Sequence, residues 1–147
     1  MIPGAAAGAA APMHFRVLGP DTGGVSVADL RRLFPGQRLT LARRSRLEQG
    51  ARILALCGRR VVGLAAYDRN DLELRVEAIG IDTGSACPPA EIADGLLDAL
   101  ELGCVAGGVR RLVLLPGAGA FDEVLQTRGY TAIARAAAGT WYEKRFA

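Results

Sequence analysis

The stretch LELRVEAIGIDTGSACPPAEIADGLLDALEL, which runs from Leu72 to Leu102, decides the fold of this chain. Its first residues alternate in polarity with a period of two, which predicts a half-buried strand. One face of this central strand carries Leu72, Leu74, Val76 and Ala78. The other face carries Glu73, Arg75, Glu77, Ile79 and Ile81.

The second part of the stretch has the three- and four-residue spacing of an amphipathic helix. Its apolar positions are Ile92, Leu96, Leu97, Leu100 and Cys104. The opposite face, which we predict to be a solvated acidic stripe, carries Glu91, Asp94, Asp98 and Glu101. Because proline suits the first helical position, this central helix should begin near Pro88 or Pro89.

Length and composition predict one domain. The chain has 147 residues, half of them hydrophobic, which is enough for a sizeable core. Residues 1–12 are mostly Ala, Gly and Pro without periodicity, so we expect a disordered tail before a domain at 13–147. No apolar run reaches the ~20 residues that span a bilayer, and the N-terminus lacks the basic region of an export signal. We therefore expect a cytoplasmic protein that does not enter membranes.

The cysteines and the single histidine predict no metal site. His14 is the only histidine, and Cys57, Cys87 and Cys104 lack metal-ligand spacing. Three cysteines without an export signal also argue against a disulfide framework. We interpret Cys57 and Cys104 as core residues. Cys87 precedes the central helix, where a thiol pKa can be lowered.

Half of the basic residues lie in one region. Nine of the 18 fall between Arg31 and Arg60, where Glu48 is the only acid. This region could attract an anionic ligand or polyanion, or it could be a solvated helical face. It contains no nucleic-acid-binding motif, so we do not expect nucleic acid as a partner.

The remaining segments predict the order β-α-α-β-β-β-α-β-α-β-β. Besides the central strand, we predict strands at His14–Leu18, Ala51–Cys57, Arg60–Tyr67, Arg111–Leu115, Tyr130–Ala136 and Thr140–Phe146. Besides the central helix, we predict helices at Ser26–Phe34, Leu39–Gln49 and Ala120–Arg128. The unit from Leu72 to Leu115 should be a right-handed parallel crossover.

Over residues 13–147 this order resembles the GNAT superfamily of acetyl-CoA-dependent N-acetyltransferases. Five segments are similar to the family's strands two and three, its fourth strand, its fifth strand, the helix that follows and the closing strand. They are GRRVVGLAAY (58–67), AIGID (78–82), RRLVLLPG (110–117), FDEVLQTRGY (121–130) and WYEKRF (141–146). The resemblance implies a single-domain α/β (α+β) fold, with a mixed sheet of about seven strands flanked by helices.

The resemblance also implies acetyl-CoA or another acyl-CoA as cosubstrate and a small-molecule or protein amine as acceptor. The residues placed against the cosubstrate are Ile79, Gly80, Ile81, Glu91, Ile92, Ala93 and Leu125. In the family motif R/Q-x-x-G-x-G/A, backbone N–H groups receive the CoA pyrophosphate. Pro88, Glu91 and Ala93 occupy the matching positions, and only Ala93 fits. Leu125 falls where family members often have a tyrosine that acts as general acid to the departing thiolate.

The residues leave the chemistry open. Glu77 or Glu73 could act as general base for the amine, or both could belong to a solvated face of alternating charge. Arg110, Arg111 or the basic region could assist CoA binding. The chain could therefore be an acyltransferase, a GNAT-fold binding or regulatory module without catalysis, or an unrelated α/β ligand-binding domain. It could also form a homodimer.

Overall fold

The computed structural model describes residues 12–116 and 121–146. These residues form seven strands and four helices. The strands are β1 (Met13–Leu18), β2 (Arg52–Cys57), β3 (Arg60–Arg69), β4 (Glu73–Ile81), β5 (Arg111–Leu114), β6 (Thr131–Ala136) and β7 (Gly139–Arg145). The helices are α1 (Val27–Leu33), α2 (Leu41–Gln49), α3 (Pro89–Gly107) and α4 (Asp122–Thr127). The predicted order is confirmed. Residues 1–11 of the tail predicted at 1–12, and the predicted helix start at Ala120, lie outside the described residues.

The strands form one mixed sheet in the order β1-β2-β3-β4-β5-β7-β6. Strands β4 and β5 are parallel, with Glu73 opposite Arg111 and Val76 opposite Leu114. The other neighbouring strands are antiparallel. The predicted parallel crossover through the central helix is therefore present as β4-α3-β5.

The core lies on both faces of the sheet. Ile53 and Ala55 of β2 join the apolar cluster that includes α3 and α4, whereas Leu54 and Leu56 join the cluster that includes α1 and α2. Alternate residues of one strand point to opposite faces, so β2 is covered on both sides. Helices α1 and α2 therefore lie on one face of the sheet, and α3 and α4 lie on the other.

The predicted faces of the central strand are wrong beyond Glu77. Ala66 of β3 lies opposite Ala78 and Tyr67 lies opposite Val76, so Glu77 is an extra residue in the ladder. Such a bulge reverses the side to which the following residues point. Ile79 and Ile81 consequently pack with Leu74 and Val76 against α3, and Ala78 packs toward α1.

The helix ends follow the local sequence. Ser26 caps α1, with reciprocal hydrogen bonds between Ser26 and Asp29. Helix α3 begins at Pro89 after Pro88, as predicted, and ends at Gly107, where Gly108 caps it in the left-handed conformation. No helix in the described part of the chain has the length and apolar character needed to cross a membrane.

The acidic stripe of α3 is largely solvated, as predicted, because Glu91, Asp94 and Asp98 are exposed. Three of its carboxylates also accept hydrogen bonds from Arg128, at the end of α4: Asp94 Oδ1 at 3.3 Å, Asp98 Oδ1, and Glu101 Oε2 at 3.0 Å. Asp94, Asp98 and Glu101 therefore bind the helix that follows β5. This pairing raises the pKa of Arg128 even though burial opposes its charge.

Candidate functional site

The candidate residues Glu77, Ile79, Gly80 and Ile81 lie where β4 and β5 separate. Their pairing ends at Val76 and Leu114, after which Leu115 N donates to Val76 O at 3.4 Å. Strand β4 continues to Ile81 without β5 beside it. We call this opening the β4–β5 cleft. Such separations are common ligand sites in sheet proteins because they leave backbone groups and side chains accessible.

One cavity of the cleft lies on the side of α1 and α2. Its volume is about 360 Å³, within the ~300–1,000 Å³ typical of small-molecule sites. We call it the arginine cavity. Its lining residues are Phe34, Gln37, Arg38, Arg43, Glu77, Ala78, Ile79, Leu115, Pro116 and Ala138.

Glu77 is the carboxylate of the arginine cavity. Glu77 is the extra residue of the bulge in β4. Together with Ala78 it lines this cavity and an adjoining cavity of about 300 Å³. Its side chain is 30% exposed and accepts a hydrogen bond from Arg46 Nη1. Arg46 is itself 66% exposed, and an exposed ion pair contributes little, about 0–1 kcal/mol. A cationic ligand could therefore replace Arg46 at Glu77 at small cost.

Arg43 is the best-positioned arginine of this cavity. Its Nη2 donates to Gln37 Oε1 at 2.7 Å, and its Cζ lies 5.8 Å from the centre of the Phe34 ring. Its Nε is buried and has no hydrogen-bond partner among the described residues. A buried donor without an acceptor is destabilising, so the guanidinium is held in place without being fully satisfied.

The backbone of β4 supplies hydrogen-bond donors to the cleft. Asp82 N donates to Val62 O at 2.8 Å, which places the hydrogen bonds of this ladder at even-numbered residues of β4. Because opposed residues of an antiparallel pair alternate between bonded and non-bonded, the N–H groups of Ile79 and Ile81 point away from β3. They therefore point to the side from which β5 has diverged.

Gly80 lets α1 close over this strand. A β-carbon at Gly80 would lie 2.7 Å from Leu33 O and 2.7 Å from Phe34 Cε1. Real β-carbons do not approach other atoms so closely, so a larger residue would displace the end of α1. The glycine thereby brings Phe34 against the end of β4.

A second cavity, of about 450 Å³, lies between α3 and α4, and we call it the helix cavity. It is lined by Ile81, Pro89, Ala90, Ala93, Asp94, Glu123, Val124 and Thr127. Ile81 and Ala93, both of which the resemblance places against the cosubstrate, line this cavity. Ile92 of α3 and Leu125 of α4 are both fully buried in the core. Within α4, the residues that face this cavity are Glu123, Val124 and Thr127 instead of Leu125.

The first turn of α3 offers little to an anion. Pro88 and Pro89 have no N–H, and Glu91 N and Ile92 N both lie 3.1 Å from Pro88 O. The Glu91 carboxylate is exposed in the same turn. Asp94 and Glu123 add two more carboxylates in the helix cavity.

Glu73 lies apart from Glu77. They are four positions apart along the strand, which corresponds to about 13 Å. The Glu73 carboxylate is 14% exposed and accepts hydrogen bonds from Arg75 Nε and Arg111 Nη1, each at 3.1 Å. Arg111 also binds Glu143. Glu73, Arg110 and Arg111 line a separate surface depression, so the structure brings none of them to the cleft.

The basic region from Arg31 to Arg60 divides into two groups. Five arginines are held within the fold: Arg32 and Arg60 on Asp82, Arg44 on Glu48, Arg46 on Glu77, and Arg52 on the carbonyls of Gly50 and Leu47. The described residues place no carboxylate within ion-pair distance of the other four, Arg31, Arg38, Arg43 and Arg59. Of these four, Arg38 and Arg43 line the arginine cavity. Sequence reasoning marked the region but could not identify these two residues.

The thiol pKa of Cys87 is not lowered by its position ahead of the central helix. The Cys87 thiol is buried and lies 2.6 Å from the sulfur of Cys57. This contact, together with burial, raises the pKa of Cys87 to about 11. In the described part of the chain, no group of three or more His, Cys, Asp or Glu side chains could hold a metal ion.

The fold is that of solved GNAT acetyltransferases. A GCN5-related N-acetyltransferase from Rhodopseudomonas palustris has a TM-score of 0.69 at 17% identity, covering 94% of this chain and 98% of that one. A GNAT family acetyltransferase from Elizabethkingia anophelis with acetyl-CoA bound has a TM-score of 0.66 at 13% identity, covering 91% and 98%. The GNAT domain of S. lividans PAT has a TM-score of 0.63 at 19% identity, covering 91% and 90%. No protein-family model and no curated protein matches the sequence.

Coenzyme A fits this site in part. The helix cavity has apolar walls from Ile81, Ala90, Ala93 and Val124, which suit an uncharged pantetheine arm. The pyrophosphate does not fit the first turn of α3, because the prolines remove donors and Glu91 adds a negative charge. The chain's own groups therefore support the thioester end of the molecule and not its phosphates.

Proposed function

We propose that this protein is an N-acyltransferase that transfers an acyl group from a thioester to an amine in the β4–β5 cleft. The observation that carries the proposal is the arrangement around the end of β4. Glu77 and Ile79 line the arginine cavity on one side, and Ile81 lines the helix cavity on the other. An amine in the first cavity and a thioester arm in the second would meet at this strand.

The chain's own groups have separable roles in this reaction. Glu77 accepts a proton from the incoming ammonium, as a general base does. The amine then attacks the thioester carbonyl, forming the C–N bond, and the C–S bond breaks. The second proton lost by the nitrogen goes to the departing thiolate, which leaves as the free thiol. The N–H groups of Ile79 and Ile81 point toward the carbonyl under attack, where fixed backbone donors stabilise developing negative charge. Acetyl-CoA or another acyl-CoA is the thioester donor that we propose, and a small molecule or a protein supplies the amine.

The test is amine-dependent release of thiol from acetyl-CoA by the purified full-length protein. Release with at least one amine of a chemically varied panel, together with a mass increase of that amine by one acetyl group, is the expected result. Absence of release with every amine and with longer acyl-CoA donors contradicts the proposal.

A second function is favoured by one observation, the first turn of α3. With Pro88, Pro89 and Glu91 in that turn, the fold could have lost the acyl donor and serve as a binding or regulatory module. Calorimetric titration of acetyl-CoA into the wild type and Glu91→Gln separates the two functions. For an acyltransferase we expect both to bind, and the variant to bind at least about fourfold tighter, because like charges ~5 Å apart in a water-like medium repel by about 0.8 kcal/mol. Absence of binding by both proteins supports the binding module.

A further inference from the structure

We propose that the acceptor amine carries a carboxylate, and that Arg38 and Arg43 bind this carboxylate in the arginine cavity. The part of this inference that concerns the acceptor's amine rests on the proposed function. The part that assigns an anion site to Arg38 and Arg43 does not. It identifies the substrate class as small zwitterions of the α-amino acid type.

The charges of the cavity support this class. Arg38, Arg43 and Glu77 are its charged lining residues. Arg46 already compensates Glu77, whereas the described residues offer Arg38 and Arg43 no carboxylate. The cavity is therefore electropositive, and positively charged concave surfaces concentrate anions. A neutral or purely cationic amine would leave both arginines without a counter-charge.

Arg43 is arranged as a fixed anion receptor. Gln37 Oε1 and the Phe34 ring hold its guanidinium on two sides, and its Nε lacks an acceptor. The planar guanidinium matches the geometry of a carboxylate, with which it forms paired hydrogen bonds. An entering carboxylate would accept hydrogen bonds from the Nη groups of this guanidinium, of which only one N–H is used within the described residues, by Gln37.

The wall that β4 contributes to the cavity suits the ammonium group. Glu77 comes from β4, while Arg43 comes from α2 and Arg38 from the loop before it. A ligand in the cavity therefore meets a carboxylate from β4 and guanidinium groups from α2 and the loop before it. The apolar residues Phe34, Leu115 and Pro116 remain for its carbon skeleton.

The experiment observes the Nε–H group of Arg43 directly by ¹H–¹⁵N correlation spectroscopy. Because this atom is buried, its proton should exchange slowly enough to be seen at neutral pH. The signal is assigned by its loss in Arg43→Lys. Phenylalanine and phenylalaninamide are titrated as a matched pair, since they share the amine and skeleton and differ in the carboxylate. Alanine and alaninamide form a second pair.

We expect the amino acids to shift this signal to saturation and the amides to bind at least about tenfold more weakly, since hydrogen bonds to charged groups are the stronger ones. Arg38→Gln should weaken amino acid binding. Arg59→Gln, an exposed arginine of the β2–β3 turn outside the cavity, is the matched control and should bind normally. Equal shifts from acids and amides, or no shift from either at about 50 mM, a concentration above typical substrate affinities, would overturn the inference.

The two proposals fail separately. If thiol release occurs with amides as readily as with amino acids, the carboxylate site is wrong and the acyltransferase remains. If amino acids shift the Arg43 signal but no amine releases thiol, the carboxylate site stands and the acyltransferase is wrong.

Discussion

Replacing Glu101 by glutamine should destabilise the fold strongly, because this carboxylate joins three elements. Its Oε1 accepts from Lys144 Nζ of β7 at 2.8 Å. Its Oε2 accepts from Arg128 Nε at 3.0 Å and from Tyr130 OH at 2.9 Å. A glutamine oxygen can replace Oε2, but the glutamine NH₂ would then face the Lys144 ammonium, donor against donor.

The magnitude follows from burial. The Glu101 side chain is 15% exposed, and removing one partner of a buried pair destabilises by about 3–5 kcal/mol. We expect a loss at the lower end, about 3 kcal/mol, which for a chain of this length lowers the melting temperature by roughly 6–12 °C. Glu91→Gln, on an exposed residue of the same helix, is the matched control and should change stability by less than about 0.5 kcal/mol.

The pH dependence gives a second signature of Glu101. Burial raises its pKa, but the hydrogen bonds from Lys144, Arg128 and Tyr130 outweigh burial and lower the pKa below the usual value. A carboxyl group whose pKa is lower in the folded than in the unfolded protein stabilises the fold at pH values above its unfolded-state pKa. This stabilisation is lost as the pH falls through its folded-state pKa. The difference between wild type and Glu101→Gln, measured by urea unfolding, should therefore shrink at acidic pH. If Glu101→Gln is no less stable than Glu91→Gln at pH 7, the reasoning is refuted.

Three further predictions concern packing, reactivity and assembly. Gly80→Ala should destabilise the protein by about 1–3 kcal/mol in urea unfolding, because its methyl group would press on Leu33 O. Gly103→Ala, which has open space around it, should be neutral or stabilise by up to ~1 kcal/mol. Equal stability of the two variants contradicts this prediction. Because its pKa is raised to about 11, Cys87 should react with iodoacetamide at pH 8 under reducing conditions far more slowly than a small thiol does. Peptide mass spectrometry follows the reaction, and a rate comparable to that of a small thiol contradicts the buried contact with Cys57. The homodimer remains a prediction, and the exposed edge strand β6 would form its interface. Light scattering should show a dimer that Ile133→Lys dissociates, whereas a monomeric wild type excludes the homodimer.

The element order was predictable because its signals are local. Ser26, Pro88 and Gly108 mark helix ends through their own backbone and side-chain chemistry. The periodicities of the central strand and central helix likewise require no knowledge of distant residues.

The cleft was less predictable because it depends on pairing between distant segments. The bulge at Glu77 follows from the register of β3 against β4, and a one-residue shift reverses every later side chain. No pattern within the central strand marks this shift. The expected face of Ile79 and Ile81 was wrong for this reason.

The roles of the charged residues were also set by distant partners. Arg46 binds Glu77 31 residues away, and Arg128 binds Asp94 34 residues away. The sequence located a basic region and an acidic stripe but could not pair their members. Arg38 and Arg43 differ from the other arginines of the basic region because they line the cavity and have no carboxylate partner among the described residues.

The most direct test of the account compares Glu77→Gln with Glu73→Gln in steady-state acyl transfer, after an amine has been found for the wild type. Glu77 lines the cleft, and removal of a general base lowers the rate by about 10²–10⁴-fold. Glu73 lies in its own ion-pair cluster about 13 Å along the strand, so its variant should retain kcat/KM within about tenfold, provided both variants unfold in the same range of urea. A large loss in kcat/KM confined to Glu77→Gln is the predicted result. Equal activities of the two variants, or a larger loss in Glu73→Gln, would contradict the placement of the chemistry at the end of β4.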